Sequence, residues 1–256
     1  MGELLKGKNI LVMGVRNKWS IAWGITEAAY QEGANLIFTY LGERERDALL
    51  LQAADMGQIA AYPCDVSSDE DINILFDAIK KDYGILHGLV HSIAYAKNED
   101  LQDSFLNTSR DGFMLAMGIS VYSLVAVSNR AAQLMTEGGS IMTLTYRGSL
   151  KIMPGYNVMG VAKAALEASV RYMAYELGSK NIRVNSLSAG PIKTMSAKGV
   201  KNFSDVLVAV EERSPLKRNV TLEDLGKTAV YLLSDLSSGM TGEVVYIDSG
   251  YNNMGI

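Results

Sequence analysis

Cysteine is nearly absent from this 256-residue chain. The single thiol, Cys64, excludes an internal disulfide framework and a metal site built from cysteines. Histidine is almost as scarce. His87 and His91 stand four apart in an apolar run that reads as a strand, on one face, and no third ligand is near in the sequence. That is a weak basis for a metal. Only four prolines occur, so there is no proline-rich linker, and no repeat or low-complexity segment is found. Excess positive charge is missing too: the formal net charge is -4 and the pI about 5.3. A nucleic-acid partner is therefore not expected. No apolar run reads as a bilayer span, and the first residues, Met1 to Lys6, lack the apolar core of a signal peptide. Lys6 stands where a myristoylation motif needs Ser or Thr. The expectation is a soluble, cytoplasmic protein with no membrane partner.

What is present is apolar and periodic: 48% of residues are hydrophobic and 20% charged, enough for one large α/β domain. Short apolar runs alternate with helical patterns. Strands are predicted over 8–15, 34–40, 59–66, 86–95, 139–146, 182–188 and 242–248. Helices are predicted over 21–31, 43–56, 69–82, 108–135, 156–180 and 221–235. Such alternation implies a single-domain, doubly wound α/β fold, with a seven-stranded, mostly parallel sheet covered by helices on both faces. Sheets of this kind bind ligands beyond the carboxyl ends of their strands. Small and polar residues collect there: Gly14 and Ser20, Tyr40, Asp65, Ser92-Ile93-Ala94, Tyr146 and Ala189-Gly190-Pro191. The first strand runs through Gly14 to Ser20 and a helix, an altered form of the glycine turn that seats a pyrophosphate on a helix N-terminus.

Tyr156 and Lys163 are seven residues apart, ahead of the helix-forming run Ala164 to Ala168. On one continuous helix they would share a face, about 10 Å apart along the axis. A phenol there can donate a proton, and an ammonium two turns on can hold a polyol or lower the phenol pKa.

Taken together, these residues resemble the short-chain dehydrogenase/reductase superfamily and, more narrowly, the bacterial enoyl-acyl-carrier-protein reductases of fatty-acid elongation. The likeness runs along the whole chain. It is carried by Gly14 through Gly24, Cys64-Asp65-Val66, His91 to Ala94, Leu144-Thr145-Tyr146, Tyr156 through Lys163, Ser188 to Thr194 and Asp248 to Tyr251. Spacing selects the narrower group. Carbonyl-reducing members place tyrosine four residues before the lysine; here that residue is Met159.

The resemblance implies a Rossmann fold and reduction of enoyl thioesters on an acyl carrier protein by NADH, with NADPH open, in a homotetramer. It gives Tyr156 the role of enolate donor and Lys163 that of cofactor ribose ligand, and it sets Tyr146 and Ala96 beside the substrate. Gly14, Ser20 and Ile21 fall to the pyrophosphate, Asp65 and Val66 to the adenine, and Ile93 to the ribose. Ile192 and Thr194 fall to the carboxamide, with Leu41, Lys193, Met195 and Ser196 completing the cofactor contacts. Glu43 favours NADH and Arg44 a 2′-phosphate. Arg147, Trp19 and Asn252 depart from the family pattern, Arg147 at the pocket rim. The segment 192–213 reads as a substrate lid, and Lys193, Lys198 and Lys201 on it would attract an acidic carrier protein. The rival readings are a reductase of ketones or small enones and a non-catalytic NAD(P)-binding module.

Overall fold

The structure, a computed structural model, describes residues 2–57, 59–194 and 203–255. Seven strands pair in the order β3-β2-β1-β4-β5-β6-β7. They are β1 (Asn9–Met13), β2 (Asn35–Tyr40), β3 (Ala60–Pro63), β4 (Gly88–His91), β5 (Gly139–Thr145), β6 (Ile182–Ala189) and β7 (Val244–Ile247). Every pairing is parallel, so all seven carboxyl ends share one edge. All residues of β1 and β4 are buried, which explains their unbroken apolar character. The strand order reverses between β1 and β4, the point at which sheets of this kind bind ligands.

The helices are α1 (Ile21–Gln31), α2 (Glu43–Gln52), α3 (Asp69–Tyr83), α4 (Asn98–Gln102), α5 (Arg110–Met117), α6 (Ser123–Leu134), α7 (Asn157–Gly178), α8 (Phe203–Arg213) and α9 (Leu222–Leu233). One core joins α3, α6 and α7 to the sheet through Phe76, Val127 and Leu166. The other joins α1 and α9 through Ile25 and Leu225, with Leu49 of α2. The two helices of this second face touch at glycines. A Cβ at Gly226 would come within 2.6 Å of the Gly24 carbonyl oxygen, and one at Gly24 within 2.8 Å of Leu222. Gly24 thus serves helix packing.

Several expected elements are corrected. The predicted helix over 108–135 is broken into α5 and α6 by a π-helical turn, Gly118–Tyr122. The wider turn delivers two buried hydroxyls to the sheet. Ser120 Oγ accepts the Tyr95 N–H at 3.0 Å, and Ser123 Oγ reaches His91. Strand β4 ends at His91, well short of Tyr95, and the chain beyond it turns into the short α4, which the sequence pattern missed. By length and composition alone, the stretch Arg110–Leu134 could cross a membrane, contrary to expectation. Here Leu124, Val127, Ala131 and Leu134 bury their side chains in the core.

The two histidines have structural partners. His87 Nδ1 accepts the Asn9 N–H at 2.9 Å. His91 is fully buried between two hydroxyls. Ser123 Oγ donates to the Ile119 carbonyl at 2.6 Å and so accepts from His91 Nε2 at 2.8 Å. Thr143 Oγ1 lies 3.1 Å from Nδ1 and 3.1 Å from the His91 carbonyl oxygen, so its single proton serves one or the other acceptor. Burial, with the nearby Lys163 charge, lowers the His91 pKa to about 3. An unfolded chain would protonate this imidazole near its ordinary value of about 6.5. Stability held above that pH is therefore lost as pH falls toward about 3. We expect urea midpoints to drop between pH 7 and pH 5, with His91 contributing up to about 1.4 kcal/mol per pH unit. His91→Gln should flatten that slope; an unchanged slope would show that the imidazole is not the titrating group.

Candidate active site

The carboxyl edge gathers most of the expected cofactor residues. Gly14 follows β1 with φ +89°, and a Cβ there would lie 2.1 Å from the Ser92 carbonyl oxygen. Only glycine lets the ends of β1 and β4 approach so closely. Ile93 is the next neighbour, 3.3 Å from the same point. Ser20 caps α1: its Oγ accepts the Trp23 N–H at 3.2 Å and donates to the Asn17 carbonyl at 2.7 Å. With the Trp23 and Gly24 N–H groups taken up by Ser20, the backbone N–H groups of Ile21 and Ala22 remain for an anion. The first turn of α1, like those of α6 and α7, carries no acid, whereas those of α2, α3 and α9 do. That charge pattern fits a dinucleotide pyrophosphate.

Beyond β2 and β3 the edge is more open. Leu41 is exposed, Val66 is buried, and the exposed Asp65 is oriented by Ser67, whose N–H and Oγ donate to its Oδ1 at 2.9 and 2.7 Å. Glu43 is in an ion pair with Arg46, which restrains it. On the far side Ile192 packs against the core, the Thr194 N–H donates to the Ile192 carbonyl at 2.8 Å, and Lys193 is exposed. Met195, Ser196, Lys198 and Lys201 lie outside the described residues.

The tyrosine–lysine geometry differs from the expectation. Tyr156 is the N-cap of α7 and not part of the helix, because Asn157 takes φ +39°. Asn157 holds that turn by donating its Nδ2 to the Leu101 and Asp103 carbonyls at 3.2 and 2.8 Å. Freed from helical side-chain direction, the Tyr156 ring meets Tyr146 edge-on, centroids 5.2 Å apart at 74°. It also lies over Gly148, where a Cβ would approach within 2.6 Å. Burial around the hydroxyl pushes the Tyr156 pKa above its ordinary value, with Tyr146 and Glu167 adding to the rise. Tyr146 is raised likewise by burial, with Arg147 opposing. Both phenols are therefore neutral donors at physiological pH. Ala96, partly buried, packs on the same core that supports Tyr156.

Lys163 is only 6% exposed and donates from Nζ to the Leu144 carbonyl at 2.8 Å. Desolvation lowers its pKa to about 8, against the pull of Glu167. Met159, the residue where carbonyl reductases carry tyrosine, is buried with its sulfur 3.8 Å from Ser120 Oγ. A thioether has no proton to give.

Known proteins resemble this chain in sequence and fold. A family model described as enoyl-(acyl carrier protein) reductase covers residues 14–252. The chain belongs to the enoyl-(acyl carrier protein) reductase family. A Bacillus cereus relative, an NADH enoyl-[acyl-carrier-protein] reductase, is 53% identical over 99% of this chain and 100% of its own length. A Staphylococcus aureus relative named for NADPH is 52% identical over 97% of this chain and 98% of its own. The crystal structure of a Bacillus cereus enoyl-acyl carrier protein reductase, solved with NADP+ and an indole naphthyridinone, superposes with a TM-score of 0.97. It is 52% identical and covers 99% of this chain and 100% of that one. Arg147 and Trp19, expected from the resemblance to depart from the family pattern, have local partners. Arg147 stacks its guanidinium 4.5 Å from the Tyr251 ring, and Lys18 sits 5.1 Å over the exposed Trp19. Asn252 binds the Asp248 carboxylate through its N–H at 2.8 Å.

Glu167, Thr145, Asn157 and Gly148 were given no role in the site by the sequence reading. The four-residue step from Lys163 to Glu167 on a helix is a signal for the first of them. We expect Tyr156→Phe to lower turnover about 10²–10³-fold, the usual loss of one oxyanion donor, with cofactor affinity nearly unchanged. Near-full turnover by this variant would shift the donor role to Tyr146 or a water.

Proposed function

We infer that the protein reduces the trans-2 double bond of enoyl-acyl-carrier-protein thioesters, the last step of each fatty-acid elongation cycle. The observation that carries this reading is the pairing of a proton-less Met159 with two phenols, Tyr146 and Tyr156, in edge contact at the end of β5. A reduced nicotinamide supplies the hydride to the β carbon. As charge builds on the thioester oxygen, Tyr156 stabilises it by O–H donation and then supplies the proton. Tyr146 lines the same pocket with Ala96. Lys163 holds the cofactor ribose hydroxyls and adds positive charge near the developing enolate. Gly14, Ser20 and Ile21 form the pyrophosphate seat, Asp65 and Val66 the adenine seat, and Ile93 the ribose wall. Ile192, Lys193, Thr194 and Leu41 complete the cofactor contacts.

NADH is the preferred cofactor in this reading, because Glu43 stands at the end of β2; the neighbouring Arg44 keeps NADPH as the second choice. Relatives named for each cofactor support both. The whole chain is taken as one catalytic domain, in the cytoplasm, with 192–213 as its lid. Leu207 and Val210 of α8 are already buried and so anchor the end of that segment on the fold. A homotetramer is supported by exposed apolar side chains on neighbouring helices. Val161, Tyr172 and Tyr175 form one stripe on α7, beside Tyr122 and Val125.

The deciding experiment follows NADH and NADPH oxidation by absorbance with crotonyl and acetoacetyl thioesters. Oxidation with the enoyl substrate alone is expected; turnover of the ketone would favour a carbonyl reductase, and binding without turnover a non-catalytic module. Lys163→Met should weaken NADH binding as well as turnover, since it removes three donors and a charge. Unchanged NADH affinity by calorimetry would contradict the ribose role.

A further inference from the structure

Glu167 is a carboxylate with no part in the chemistry above, yet it is only 5% exposed. It stands one helical turn beyond Lys163 on α7. Two consecutive residues of β5 hold the two charges. Leu144 offers its carbonyl to Lys163 Nζ at 2.8 Å, and Thr145 donates its Oγ1 proton to Glu167 Oε1 at 2.6 Å. The next residue is Tyr146. The end of β5 therefore ties a buried cation, a buried anion and a pocket phenol into one short run.

Burying a carboxylate is costly unless its charge is used. The groups around it narrow that use. His91, on β4, is neutral, with its pKa near 3. Tyr156, Tyr146 and, on β7, Tyr246 are phenols whose pKa values are raised. Arg147 is stacked on Tyr251, and Asp248 is taken up by the Gly250 and Asn252 N–H groups. Lys163, one helical turn away, is the cation on which Glu167 acts, through space and with no direct ion pair between them among the described residues.

We propose that Glu167 is a positioning residue: clamped by Thr145, it keeps the Lys163 ammonium protonated and fixed against the end of β5. The proposal rests on Lys163 as the cofactor ribose ligand. Its consequence is a working range in pH. Desolvation pulls the ammonium toward deprotonation near pH 8, and Glu167 opposes that pull. Without the carboxylate, the ammonium would lose its proton at lower pH, and NADH affinity would fall with it.

The test uses Glu167→Gln, which keeps the shape and an acceptor for Thr145 but removes the charge. The Lys163 side-chain resonance of the cofactor-free protein is titrated by carbon-13 NMR, with Lys163→Met assigning it. NADH affinity is measured across the same pH range by nicotinamide fluorescence. In Glu167→Gln, the lysine midpoint and the alkaline fall in NADH affinity should both move down by about one pH unit or more. Affinity at pH 6 should stay within about twofold of the parent, because the lysine is charged there in both. Glu167→Asp should restore part of the shift. Thr145→Val, which keeps the carboxylate but unclamps it, should give a smaller shift in the same direction, and it serves if Glu167→Gln does not fold. An unmoved lysine midpoint overturns the proposal whatever reaction the enzyme runs. A moved midpoint with unaltered NADH affinity overturns the positioning role toward the cofactor. Failure of the functional reading itself would show elsewhere, as no turnover of enoyl thioesters by the parent enzyme.

Discussion

Keeping the Lys163 ammonium charged inside the protein is the constraint on which the rest of the site depends. An ammonium out of water needs compensating acceptors, and the end of β5 provides one in the Leu144 carbonyl. β5 pairs with β4 only as far as Thr143 but with β6 through Leu144 and Thr145, so β6 holds the strand end while the Leu144 carbonyl meets the lysine. Packing of α7 against the sheet through Met159, Ala162 and Leu166 then fixes the lysine's own backbone. The site is thus an extension of the core, and its precision comes from rigid elements rather than loops.

The same logic explains why small residues cluster around it. Gly14 brings β1 within contact of the Ser92 carbonyl, and Gly148 makes room for the Tyr156 ring. A Cβ at Gly160 would come within 2.9 Å of the Gly148 carbonyl oxygen, so α7 starts hard against the turn after β5. Each glycine converts an absent side chain into a close approach of backbone to backbone or ring.

Much of this was legible in the sequence. Alternating apolar runs and helical periods gave the sheet, its parallel direction and both helix layers, and α1 was bounded correctly by Ser20 and Gly33. Period and propensity speak to long regular elements, so they failed where tertiary contacts override them. The π-helical turn at Gly118–Tyr122 exists because Ser120 and Ser123 find partners on Tyr95 and His91, far away in sequence. Tyr156 leaves the helix because Asn157 binds the Leu101 carbonyl in α4 and the Asp103 carbonyl just after it, and α4 is too short to show a period. Glu167 was readable as a charge four residues after Lys163, but its burial was not, since a helix pattern does not reveal how deep a polar face lies.

That displacement of Tyr156 bears on which substrate the site suits. In a ketone, the carbon that accepts hydride carries the oxygen that accepts the proton. In an enoyl thioester, the hydride goes to the β carbon and the charge appears on an oxygen two bonds farther along. A donor one helical turn from the lysine serves the first geometry. Here that position is Met159, turned into the core and lying beside Ser120. The phenol stands instead at the non-helical N-cap, with its ring held by Tyr146 and Gly148. The lysine keeps its place against β5 while the donor steps outward along the chain. A change of three residues in register, stabilised by one asparagine turn and two ring contacts, gives the proposed donor Tyr156 a position suited to the conjugated oxygen rather than to the reacting carbon's own.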